Sequence, residues 1–171
     1  MWERLTKHAK LMEFFSIAGE ITGRKKLQKM IYILKKCRLP FEEKFEYHFY
    51  GPYSEELTLR VEELCNLGFL EELKEEKSSY FQYHYSITGD GEAFLQQFAS
   101  HLPGLEEKVN LLNEQSSRFL ELVATIMYFD ELPKSEVAEK IHKVKSKQNY
   151  SEEEIEQAWD FIHLLAGKAS N

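Results

Sequence analysis

The chain has 171 residues, 43% of them hydrophobic and 13% aromatic, which is enough apolar mass for a sizeable core and excludes wholesale disorder. Its formal net charge is −7, so any hold on nucleic acid needs a local basic patch rather than an overall attraction. No apolar run approaches the roughly 20 residues of a membrane helix, and the first residues, MWERLTKHAKLMEFF, lack the long apolar stretch and cleavage site of a signal peptide. A cytoplasmic protein with no membrane partner is expected.

Residues 2–19 read as an amphipathic helix, with Leu5, Ala9, Met12, Phe15 and Ile17 toward the core. Ile21, Thr22 and Gly23 break it, and Thr22 can cap the next helix. That helix covers about 24–38. Leu27, Met30, Ile31, Leu34 and Cys37 recur at three- and four-residue steps and define its buried face. Lys25, Gln28, Lys29, Tyr32 and Lys36 fall opposite. The helix holds seven bases (Arg24, Lys25, Lys26, Lys29, Lys35, Lys36 and Arg38) and no acid. Pro40 stops it.

Residues 45–49 alternate as a short strand, and Tyr50-Gly51-Pro52-Tyr53 turns the chain. Ser54 is a good N-cap for a helix over 54–67, with Glu55 and Glu56 placed to suit its dipole. Leu57, Val61, Leu64 and Cys65 are its buried side, and Gly68 can take the left-handed conformation at its exit. Residues 69–75 and 80–87 read as a hairpin. Thr88-Gly89-Asp90-Gly91 leads into a helix through about 101.

Pro103-Gly104 marks a break and a candidate boundary between regions 1–102 and 103–171. One long helix is expected over 105–129, with Leu105, Val109, Leu112, Phe119, Val123 and Ile126 on its apolar face. Helices over 134–145 and 152–167 come next, and Ser151 with Glu154 makes a capping box for the last. The expected fold class is mainly α with a small antiparallel β wing. It comprises a winged-helix-like N-terminal part and C-terminal helices that offer a homodimer surface.

Two phrases sharpen the winged-helix reading. Residues 64–70, LCNLGFL, are similar to the end of a second helix of a helix-turn-helix as it enters a wing. Residues 85–95, YSITGDGEAFL, resemble the wing exit of many winged-helix regulators. A more specific pairing is KLQKMIY at 26–32 with FYGPYSEEL at 49–57. It resembles the Panacea (SocA-like antitoxin) family, which contains antitoxins and proteolytic adaptors. That resemblance implies action by protein–protein contact. The chain as a whole resembles the uncharacterised YwgA-type proteins of Bacillus, a likeness that implies a family and no activity.

Catalysis is not expected. There is no Gly-x-Ser-x-Gly elbow, P-loop, Gly-x-Gly-x-x-Gly or His-Glu-x-x-His, so neither a nucleophile with its base nor a phosphate cradle is marked. The histidines are His8, His48, His84, His101, His142 and His163. His48 and His84 fall on strand positions able to face one side, but zinc needs four ligands and no cluster supplies them. No metal or cofactor is expected. Cys37 and Cys65 stand at apolar helix positions and read as buried reduced thiols.

Two binding readings remain. The first is an unidentified protein partner held by Lys25, Lys29, Tyr32, Lys36, Tyr50, Gly51, Pro52 and Tyr53. In it the chain is a non-enzymatic interaction module of antitoxin or regulatory-adaptor type. The alternative is a winged-helix transcription regulator gripping DNA phosphates with Arg24, Lys26, Lys140, Lys143, Lys145 and Lys147. Charge argues against the alternative. The would-be recognition helix carries Glu55, Glu56, Glu62 and Glu63 against Arg60 alone, and phosphate would be repelled there.

Overall fold

The structure, a computed structural model, describes residues 2–98 and 102–167, with side chains from Leu5 onward. The expected helix end near 101 and His101 lie outside the described residues. The elements run α1 (Trp2–Ala18), β1 (Glu20–Thr22), α2 (Arg24–Lys36), β2 (Glu46–His48), β3 (Gly51–Tyr53), α3 (Glu55–Asn66), β4 (Leu70–Glu76), β5 (Phe81–Ile87) and α4 (Gly89–Phe98). After these come α5 (Leu105–Asn113), α6 (Ser117–Tyr128), α7 (Lys134–Val144) and α8 (Glu152–Gly167). The protein is mainly helical with small antiparallel sheets, as its patterning implies.

The larger sheet has the order β1–β5–β4, with Ile21 opposite Tyr85 and Leu70 opposite Ile87. β1 is an addition to the sequence reading, in which 21–23 is a simple break. Three residues are too few to show alternation. Thr22 does not cap α2. Its hydroxyl lies 3.1 Å from His84 Nδ1, and Gly23 with φ +107 begins the helix without a side-chain cap.

The corner is a tight hairpin. β2 and β3 pair with His48 opposite Gly51, which leaves Phe49 and Tyr50 as the tip. Gly51 has φ +90, a region costly for a residue with a Cβ, and a Cβ there would meet Thr125 Oγ1 at 3.4 Å and Lys29 Cε at 3.6 Å. Gly51 and Pro52 therefore belong to a strand rather than to the turn.

The expected helix over 105–129 is two helices. Ser116 leaves helical geometry at ψ 157, and its hydroxyl accepts the Phe119 N–H at 3.1 Å, capping α6. An apolar period runs through the break, so periodicity alone misses it. Other local signals hold. Ser54 caps α3 through the Leu57 N–H at 3.0 Å. The Ser151 hydroxyl accepts from Glu154 N at 3.0 Å, while Glu154 Oε1 accepts from Ser151 N at 2.9 Å, completing the capping box of α8. Gly68 exits α3 with φ +82.

One core joins both regions. Leu11, Phe14, Ile31 and Leu57 share it with Val109, Leu122, Val123, Ile141 and Ala158. The turn at Pro103–Gly104 separates α4 from α5 without separating their cores. α2 lies at the centre, packed against β1, β3, α5 and α6. It is buried continuously from Leu27 to Leu34. The expectation of an open basic face on this helix is therefore corrected. α6 covers Lys29 and Tyr32, while Gln28 is covered by Ser54 and Thr58 at the start of α3.

Candidate functional site

The two sequence motifs at 26–32 and 49–57 touch. Gln28 on α2 clasps the residue after the corner from both sides. Its Nε2 donates to Ser54 O at 2.9 Å, and its Oε1 accepts from Ser54 N at 2.8 Å. Lys29 Nζ donates to Pro52 O at 2.8 Å. From the other side Lys145, at the end of α7, donates to Phe49 O at 3.0 Å. The hairpin is thus held at three points by side chains beneath it.

Those holding groups are themselves buried. Lys29 is 1% exposed and Lys145 2%, and the carboxylate answering them is Glu121, which lies 2.8 Å from Lys145. Burial pushes the pKa of the Lys29 ammonium down to about 8, with Glu121 opposing that change and Lys145 and Lys25 adding to it. Two cations and one anion in a dry interior form an arrangement that depends on every partner being present.

Above this base the surface is aromatic. Phe49 is 74% exposed and Tyr50 46%, and their rings meet edge to face at 5.1 Å. Lys25 Nζ lies 3.5 Å over the Tyr50 ring. Tyr53 is half-buried, with its hydroxyl 2.8 Å from Thr58 Oγ1. Beside the corner, α2, α3 and β5 enclose a cleft of about 400 Å³ floored by Leu27, Leu57 and Val61.

Several expected contact residues are not accessible. Lys29, Tyr32, Gly51, Pro52 and Lys145 are buried, so they shape the corner and do not present side chains to a partner. Tyr32 packs edge-on against Phe45 at 5.2 Å, and burial lifts its hydroxyl far above the usual phenol range. Lys25, Lys36 and Tyr50 are exposed, and Lys36 pairs with Asp130 at 2.8 Å.

Of the expected phosphate contacts, Arg24 is committed to its own fold. It stacks on Tyr83 at 3.6 Å, donates to the Tyr85 hydroxyl at 3.3 Å and pairs with Glu72 at 3.6 Å. Lys26 donates to Asn113 O at 2.7 Å. Lys140 lies 5.5 Å from the Phe129 ring, while Lys143 and Lys147 point outward. The two basic stretches of sequence meet at Lys29 and Lys145, below the surface. On α3, Arg60 pairs with the buried Glu43, which removes the base that offset the acids of that helix.

Sequence reasoning missed Gln28, Glu121 and Phe49. Glu121 had a visible signal as the one acid inside the apolar run of α6, SRFLELVATIMY. His48 and His84 lie in different sheets, and no group of side chains among the described residues could hold a metal ion. Cys37 and Cys65 are half-buried thiols, each with burial pushing its pKa up, a setting unlike that of a reactive thiolate.

No family model matches the chain. Over 161 residues it is 58% identical to a Bacillus subtilis (strain 168) protein described as the uncharacterized protein YwgA. The match takes in 94% of this chain and 97% of that protein. Identity at that level over nearly the full length of both places this chain in the YwgA family.

Proposed function

We propose that the protein is a non-enzymatic interaction module of antitoxin or regulatory-adaptor type, presenting its Phe49–Tyr50 corner to a protein partner. The observation that carries the reading is the pre-organised aromatic tip. Two exposed rings stand on a hairpin whose carbonyls are held by buried lysines, so little ordering remains to oppose binding. The strand order β1–β5–β4, with α2 and α3 against it, supports a winged-helix-like scaffold for that corner.

The same strand order favours the second reading, a DNA-binding regulator. Charge opposes it. α3 and β4 expose Glu55, Glu56, Glu62, Glu71, Glu72, Glu75 and Glu76, and Arg60 is already paired.

A photo-crosslinking residue at position 50, introduced in cells, separates the two. Trapping of one defined protein, lost when Phe49→Ala is added to the crosslinking chain, is the expected result. No protein trapped, together with salt-dependent retardation of duplex DNA, overturns the partner reading. Self-association through 103–171 is a separate proposal, tested by sedimentation across a range of concentrations.

A further inference from the structure

The cleft beside the corner has the size of a small-ligand site, about 400 Å³, with an apolar floor and polar and charged side chains around it. Leu27, Leu57 and Val61 form the floor, and Tyr50 and Tyr85 stand at the sides. Five charged side chains also line it: Arg24, Lys25, Lys29, Glu62 and Glu72.

Most of these charges are already used. Arg24 and Glu72 pair at 3.6 Å and both bind the Tyr85 hydroxyl. Lys29 is spent on Pro52 O and on the buried cluster with Lys145 and Glu121. Lys25 is different. Its ammonium rests on the Tyr50 ring at 3.5 Å, and no carboxylate among the described residues pairs with it. The Lys29–Lys145 pair, with Glu121 alone to balance it, adds positive potential from below.

The position of Lys25 also works against its own helix. It stands in the first turn of α2, a turn with no acid, where the helix dipole disfavours a cation. Arg24 and Lys26 offset that cost with hydrogen bonds to Tyr85 and Asn113, and Lys25 has no such bond to offset it. Its contact with the Tyr50 ring offsets part of that cost and leaves its N–H donors available to a ligand.

We propose that this cleft binds a small monocarboxylate with an aromatic or branched apolar body. The body lies on Leu27, Leu57 and Val61, and the carboxylate meets Lys25 at the Tyr50 edge. Glu62, which also lines the cleft, repels a second negative charge, which selects a monoanion over a dianion. A free organic acid and the C-terminal carboxylate of a peptide ending in an apolar residue offer the same chemistry. The proposal does not rest on the partner reading, because Phe49 does not line the cleft.

The test titrates isotope-labelled full-length protein with 4-phenylbutyrate, 4-methylpentanoate, acetyl-Gly-Leu and the matched neutral amide of each. Backbone resonances of Lys25, Thr58 and Val61 are followed. Carboxylates should bind about tenfold more tightly than their amides, as expected for one lost charge contact. Lys25→Gln should erase that preference, Glu62→Gln should admit a dicarboxylate, and Phe49→Ala should change nothing. Binding by the free acids alone, or by the peptide alone, supports the shared chemistry and names the source. Equal binding of acids and amides, a preference that survives Lys25→Gln, or no shift from any probe at millimolar concentration would overturn the proposal.

Discussion

Gln28 and Ser54 face each other through two hydrogen bonds of 2.9 and 2.8 Å, an amide side chain imitating the neighbouring strand that the hairpin lacks. Ser54 is fully buried. Its carbonyl has a second donor in the Thr58 N–H, but the pairing of its own N–H depends on Gln28. Gln28→Leu should therefore strand a buried donor and lower stability by about 2–3 kcal/mol. Urea unfolding measures this, and an unchanged midpoint would show that the corner is held without Gln28.

That clasp explains which features are legible in the sequence and which are not. The motifs KLQK and YGPY are visible as a pair, but their contact is not, because nothing local ties residues 26 apart. The 3.6-residue period marks Leu27, Met30, Ile31 and Leu34 as core, and they are. It places Gln28, Lys29 and Tyr32 outside because a helix period reports one apolar face. The second cover comes from α6 over Lys29 and Tyr32, about ninety residues on, and from Ser54 and Thr58 over Gln28, and no local pattern in α2 announces either. Caps at Ser54 and Ser151 are legible because their bonds span three residues. The cap at Ser116 is hidden where apolar spacing happens to continue across it. The cleft is less legible still, since its floor and rim come from α2, α3 and β5 together.

Glu121 answers two buried ammonium groups. Glu121→Gln keeps the shape and removes the charge, leaving Lys29 and Lys145 to repel each other in the interior. A loss of about 3–5 kcal/mol is expected. The double variant Glu121→Gln/Lys145→Gln removes one cation as well and should recover part of the loss. A double-mutant cycle on thermal unfolding tests the coupling, and additive effects would show that the groups do not interact.

Arg38 offers a gain. It lies just past the end of α2 with φ +70, and the Leu39 N–H reaches back to Leu34 O at 3.1 Å, the bonding of a left-handed helix cap. Glycine is at ease there and arginine is not. Arg38→Gly should raise stability by about 1 kcal/mol, because the side chain is exposed and the strain is relieved. A lowered unfolding midpoint would count against the strain argument.

Lys29 sets a pH dependence whose sign is opposite to that of a surface lysine in an ion pair. Burial lowers its pKa in the folded protein to about 8, against an ordinary value of 10.5. Below pH 8 the folded chain carries the full penalty of a buried ammonium. Between about pH 8 and 10.5 the folded protein has released this proton and the unfolded chain still holds it. The unfolded state then binds more protons, so this group makes stability rise with pH across that window. Tyrosines and other lysines titrate there too, and their effects are shared with a Lys29→Met variant. The variant loses the bond to Pro52 O at every pH but also loses the buried charge. Subtracting its unfolding free energy from that of the native sequence should leave a difference that grows in favour of Lys29 as pH rises from 8 to 10.5. Parallel curves would mean that Lys29 keeps an ordinary affinity for its proton. The corner would then rest on a base that water reaches.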